Sequence, residues 1–228
     1  MNILAQKLSV GEFKEYVDKF NFGSIPPDKI VLHHTWKPTR EDWKGAVTLY
    51  GIKSYYERLG WKSGPHIFIA DDGIWLFTSM YDVGTHAGKG NSTRSKWGRL
   101  TGYSLGIEVV GNYDTERWEG KTKHNTFAAL KFLTKRLKLR NDDILFHSEF
   151  SAKTCPGSAI KKDWIFRELE RYDEEGLYRP PVSERKPSVW AKEAWDWAKK
   201  NHLCDTTDPQ EKVTAEFLIT MLYNSLRK

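Results

Sequence analysis

Cysteine is nearly absent. Two in 228 residues, Cys155 and Cys204, fall far short of a disulfide framework. No apolar run approaches the eighteen or so residues of a membrane span, so no membrane insertion is expected. Near the N-terminus Lys7, Glu12 and Lys14 interrupt any apolar stretch, and no signal peptide is read there. The chain carries a formal net charge of +6, yet has no paired C-x2-C finger, no RNP-like strand and no run of five or six basic residues. Nucleic acid is therefore not an expected partner. Together these absences predict a protein made and kept in the cytosol unless something releases it.

What is present describes a folded catalytic domain with a small appendage. An apolar content of 39% and an aromatic content of 14% support a real core. Residues 188–228 hold six basic and six acidic side chains, so the whole positive excess lies in residues 1–187. A basic surface there favours anionic partners.

The informative stretch is Ile144-Leu-Phe-His147, followed by a polar turn and Lys153-Thr-Cys155-Pro156-Gly157. A strand-like run ends on a histidine, and a loop returns a thiol toward it, which is a metal-ligand arrangement in outline. A third donor ends another apolar strand, Lys29-Ile-Val-Leu-His33-His34. Period-two alternation sends Val31 and His33 to one face and Leu32 and His34 to the other. His33, His147 and Cys155 would hold a Zn2+ ion and leave a fourth position for water, as in catalytic rather than structural zinc sites. Cys155 must then stay unpaired with Cys204.

Other stretches join these in a fixed order: Leu32-His-His-Thr35, Gly64-Pro65-His66-Ile-Phe-Ile, Gly84-Thr-His86-Ala-Gly88, Ser104-Leu-Gly-Ile-Glu108-Val-Val-Gly111, then His147 and Lys153-Thr-Cys155-Pro156-Gly157. In this order the chain resembles the zinc-dependent N-acetylmuramoyl-L-alanine amidase family, amidase type 2, over roughly residues 25–175. That family includes phage endolysins of the T7-lysozyme kind, wall-recycling amidases and peptidoglycan recognition proteins.

The resemblance implies a peptidoglycan hydrolase that cuts between N-acetylmuramic acid and L-alanine, in the role of a phage or prophage endolysin. T7-type lysozymes place a catalytic tyrosine where this chain has Pro65, which has no proton to move. Glu108 is the replacement, a carboxylate set in an apolar strand, and the wall-recycling amidases carry a glutamate base in this motif. Lys153 would offset the oxyanion beside the metal. His86 and Asn91, on a glycine-rich loop, are candidate substrate contacts; His34 and His66 are assigned to packing or to support of the ligands. Release to the wall would follow holin action. Two alternatives stay open: an intracellular amidase acting on soluble muropeptides, and a non-catalytic peptidoglycan-binding protein.

The spacing of apolar residues predicts helices over 8–20, with Ser9 and Glu12 as a capping box, over 39–60 with Trp43, Val47 and Tyr50 on one face, over 125–139 and over 158–172. Residues 64–78 read as a hairpin and 92–103 as an extended basic connector. Strands alternating with helices predict an α/β fold, a mixed central β-sheet flanked by helices on both faces, plus a small C-terminal helical module. The expected organisation is a catalytic domain at 1–175 with a helical lead-in at 1–25, a proline-bearing linker at 176–187, and a two-helix module at 188–228 that binds wall or pairs two chains.

About 40 residues rarely fold alone, so the module is expected to dock on the catalytic domain or to form a homodimer through Trp190, Trp195 and Trp197. If it pairs, light scattering should give a dimer for the whole chain and a monomer for residues 1–180. Monomer masses for both would rule pairing out.

Overall fold

Alternation along the strands decides the architecture. The computed structural model describes residues 1–180, 186–201 and 219. It divides into two units, Met1–Tyr178 and Arg179–Lys228. In the first, strands β1 (Gln6–Leu8), β2 (Pro27–His34), β3 (Ile67–Ala70), β4 (Gly73–Leu76), β6 (Leu100–Val109) and β7 (Ile144–Phe146) form a mixed sheet in the order β1-β4-β3-β6-β2-β7. A seventh strand, β5 (Ser92–Arg94), pairs with β6. The central pairs, β3 with β6, β6 with β2 and β2 with β7, are parallel. Parallel strands need covered faces on both sides, and these have them.

One face carries Ile30, Leu32, Ile67, Ile69, Leu105, Ile107 and Val109, buried under α1 (Val10–Lys19), α3 (Gly120–Leu137) and α4 (Lys162–Glu170) through Phe13, Phe127, Leu130, Leu133 and Ile165. The opposite face carries Phe68, Trp75, Phe77 and Val110 and is covered by α2 (Ala46–Arg58), which inserts Leu49 and lays Ile52 and Tyr56 alongside. The expected mixed sheet with helices on both faces is present, and His33 and Glu108 stand in one row with Phe68 on the α2 face. No helix among the described residues is long and apolar enough to cross a membrane.

The predicted helix at 8–20 forms with its capping box complete: Glu12 N–H donates to Ser9 Oγ, and Ser9 N–H donates to the Glu12 carboxylate. The hairpin at 64–78 forms as β3 and β4, joined by Asp71-Asp72. Elsewhere the boundaries differ, each for a local reason. Thr39 and Asp42 satisfy one another's N–H and side-chain groups in a turn, and Gly45 sits at φ +57°, so α2 begins only at Ala46. Its face also differs: Val47 and Tyr50 are exposed, and the buried stripe is Leu49, Ile52 and Tyr56. The basic connector at 92–103 is a hairpin, because β5 turns back onto β6 with Ser92 opposite Tyr103. Ser158 N–H donates to Asp114 and Ala159 N–H to the Tyr113 carbonyl, so α4 starts at Lys162 rather than 158.

In the second unit the described residues contain α5 (Lys192–Lys200), on which Trp197 is exposed, as is Trp190 just before it. The expected second helix near 213–223, with its Thr214 cap, and Cys204 lie outside the described residues.

The early start of α3 has a long-range cause. No side chain of its own flank caps it. Instead Asp71, in the β3–β4 turn, accepts from Thr122 N–H at 3.0 Å and Thr122 Oγ1 at 2.6 Å, and also holds Arg40 at 2.8 Å. The carboxylate thus acts as an N-cap from the far side of the chain. Replacing Asp71 with alanine should cost about 2 kcal/mol in urea unfolding, the loss of a cap together with a charge-assisted bond.

Candidate metal centre and its groove

The site is built on the register of two parallel strands. β2 and β6 pair so that His33 stands beside Glu108 and Val31 beside Gly106, and β3 sets Phe68 on the other side of Glu108. His147 follows β7 directly, at the start of a short 3-10 turn, and β7 lies next to β2 with Phe146 opposite Leu32. Cys155 arrives from the loop beyond. That loop is tied down at several points: Ser148 N–H donates to the Cys155 carbonyl, His34 N–H points at Cys155 Sγ from 3.4 Å, and Gly157 N–H donates to Thr154. Gly157 is required there. Its φ is +119°, and a Cβ would lie 2.2 Å from the Tyr113 carbonyl oxygen.

The three predicted ligands meet. His33 Nδ1 is 3.1 Å from His147 Nδ1 and 3.7 Å from Cys155 Sγ, and all three donor atoms lie within 4.8 Å of one another. Zinc bonds of about 2.05 Å to nitrogen and about 2.3 Å to sulfur at tetrahedral angles would separate donors by about 3.3 and 3.6 Å. The two separations made by His33 therefore match a tetrahedral cation, and the third pair, within 4.8 Å, lies close enough to share it. Burial and the neighbouring imidazoles hold His33 well below the usual histidine range, while burial lowers His147. Two neutral rings then bring Nδ1 atoms into contact, which a shared cation would stabilise.

Glu108 Oε1 stands 3.9 Å from His33 Nδ1, and its Oε2 is buried without a partner. Burial pushes this carboxyl up to about 8, with Lys153 opposing the shift. Burial likewise raises the Cys155 thiol to about 12. Cation binding would have to displace that proton. Lys153 itself is exposed on the groove wall.

These groups open into a groove of about 1000 Å³. Its far wall is α2, through Ile52, Tyr55, Tyr56 and Leu59, with Trp61 beyond and Trp36 at the rim. Tyr56 stacks on Trp61 at 4.7 Å, and burial first, then the Glu108 charge, keeps its phenol protonated. The family resemblance implies a substrate groove wall on this helix, but the residues that form it differ from Trp43 and Tyr50: residues 52, 55, 56 and 59 share one helical face and line the groove.

His86 and Asn91 part company. His86 lines the groove but is buried, with Nδ1 3.0 Å from His33 Nε2 and Nε2 3.2 Å from Ser104 Oγ. Asn91 is not among the residues lining the groove; its side-chain oxygen accepts the N–H groups of His86 and Ala87. His34 accepts the N–H of Tyr113, and His66 accepts that of Gly106 and donates to the Asp82 carbonyl. Both serve the scaffold.

The raised Glu108 carboxyl has a consequence for stability. A group whose folded value lies above its unfolded one stabilises the fold below the unfolded value, and that contribution is lost as pH rises through the folded value. The window here runs from about 4.3 to about 8. Metal-free protein should therefore be less stable in urea at pH 8.5 than at pH 6.5, and Glu108→Gln should shrink that difference. An unchanged difference in the variant would place its origin elsewhere.

Comparison with known proteins accords with this geometry. A family model described as N-acetylmuramoyl-L-alanine amidase matches residues 23–158. Among solved structures, the N-acetylmuramoyl-L-alanine amidase LysC from Clostridium intestinale URNW has a TM-score of 0.51 at 23% identity, over 64% of this chain and 87% of that one. Drosophila peptidoglycan recognition protein SD has a TM-score of 0.51 at 20% identity, over 68% of this chain and 90% of that one. At these identities the likeness is one of fold. No curated protein matches the chain. The family match spans more than half of the sequence and encloses His33, Glu108, His147, Lys153 and Cys155, so the chain belongs to the N-acetylmuramoyl-L-alanine amidase family.

Proposed function

We propose that this protein is a zinc-dependent peptidoglycan hydrolase, a cell-wall-lysing endolysin that cleaves the amide between N-acetylmuramic acid and L-alanine. The observation that carries the reading is the convergence of His33, His147 and Cys155 beside a buried, half-unpartnered Glu108 at the floor of a groove. Zinc held by the three ligands would supply a Lewis acid and lower the pKa of a water molecule toward neutrality.

The remaining steps belong to the chain's own residues. Glu108 takes the proton from the attacking water and returns it to the departing nitrogen. Its raised proton affinity suits both transfers near neutral pH, where a base and its conjugate acid must each be accessible. Lys153 brings positive charge to the groove wall, where a tetrahedral oxyanion would develop. Tyr56 offers a neutral hydroxyl from the opposite wall, a donor that the sequence lost where Pro65 stands. The apolar surface of α2 gives a polymer strand a wall to lie against. Retention of Cys155, Glu108 and Lys153 together favours catalysis over simple binding by a peptidoglycan recognition protein fold.

Clearing of a suspension of purified sacculi tests this. A chelator should abolish turbidity loss and added zinc restore it. Glu108→Ala should lower the rate by about 10²- to 10⁴-fold, the usual worth of a general base, while elemental analysis still finds one zinc per chain. Near-normal clearing by that variant would overturn the role of Glu108. Faster turnover of soluble muropeptides than of sacculi would favour a recycling enzyme over a lysin.

A further inference from the structure

We propose that His86 is a positioning residue that dictates which nitrogen of His33 is free to bind metal, through a one-way chain of hydrogen bonds anchored at the Gly90 carbonyl. The proposal rests on the zinc reading above but makes a claim of its own about proton placement.

The chain has a single polarity because its far end cannot donate. Ser104 Oγ lies 2.7 Å from the Gly90 carbonyl oxygen, so the one hydroxyl proton is committed there. The hydroxyl oxygen therefore faces His86 Nε2, 3.2 Å away, as an acceptor. His86 Nε2 must carry the ring proton, which leaves Nδ1 bare. That bare nitrogen is 3.0 Å from His33 Nε2, which must then be the donor. A neutral imidazole has one N–H, so His33 Nδ1 is left with its lone pair. Nδ1 is the atom that faces His147 Nδ1 and Cys155 Sγ.

The surroundings hold the relay in place. On β6 the residues Ser104, Gly106 and Glu108 follow one another on one face, and His86 lies flat over the middle one. A Cβ on Gly106 would stand 2.6 Å from His86 Cγ, so the strand has no room for a side chain there. Asn91 accepts the backbone N–H of His86 itself, fixing the height at which the ring enters. Three residues around an otherwise buried imidazole thus share one task. Partners of this kind, which donate to or accept from the second nitrogen of a ligating histidine, are typically worth about 10- to 100-fold in metal affinity.

Two variants and one spectrum test this on the full-length chain. In His86→Gln the side-chain oxygen can accept from His33 and the NH2 group can donate to Ser104, so the relay survives; in His86→Leu it does not. Zinc affinity, measured by competition with a chromophoric chelator, should fall about 10- to 100-fold in the leucine variant and stay within a few-fold of wild type in the glutamine variant. Equal affinity in wild type and the leucine variant would overturn the proposal. So would equal weakening in both variants with matching losses of metal-free melting temperature, which marks a packing role only. Long-range ¹⁵N–¹H correlation spectra of metal-free wild type should show His33 protonated at Nε2, and protonation at Nδ1 would overturn it without any variant. Failure of wild type to take up zinc would sink the zinc reading, and the spectrum would still decide the relay.

Discussion

The site depends on the register of β2 against β6. Parallel strands in register place side chains of one face in rows, and one such row is His33, Glu108 and Phe68. A slip of one residue would turn His33 toward α3 and bring Leu32 to the groove, because strand side chains alternate with a period of two. Ile30 and Leu32 prevent that slip. Both are fully buried with Leu105, Ile107 and Val109 against α1, α3 and α4. The hydrophobic face, with no chemistry of its own, is what holds an imidazole and a carboxyl side by side on the other.

That placement makes the site electrostatically expensive. Glu108 is pushed up to about 8, Cys155 to about 12 and His86 down to about 3, in each case first by burial. Desolvation disfavours the charged form of every one of them, so the metal-free pocket is a cluster of neutral acids and bases. A divalent cation reverses the logic, because it favours the thiolate and the carboxylate together. The same burial that disfavours these charges is what would make a cation's field strong there. Lys153, exposed at the mouth, works in the same direction at a lower cost.

The candidate ligands and the candidate base stood out in the sequence because each lies where a short-range pattern changes: His33 and His147 at the ends of apolar strands, Glu108 out of phase in an otherwise apolar one, Cys155 in a loop beside proline and glycine. Element existence was legible for the same reason. What escaped depends on contacts between distant residues. The start of α3 is set by Asp71, 51 positions before Thr122, and the start of α4 by Tyr113 and Asp114. Which face of α2 forms the groove wall escaped because aromatic residues occur on both faces, and only the packing of Leu49 and Ile52 against Phe68 and Phe77 decides which face turns inward.

Histidine shows most plainly where sequence reading ends. His33, His34, His66 and His86 all sit in strand or loop stretches of similar composition, and composition cannot rank them. Their partners do. His34 and His66 each accept a backbone N–H, from Tyr113 and Gly106, and such nitrogens are spent on the fold. His86 instead spans from a serine hydroxyl to another imidazole. Only His33 has one nitrogen taken by a ring and the other turned toward a second imidazole and a thiol. The distinction between scaffold and ligand is thus a matter of which lone pairs remain after the backbone has been satisfied. Gly106, a residue with no side chain, is what leaves room for that difference to exist.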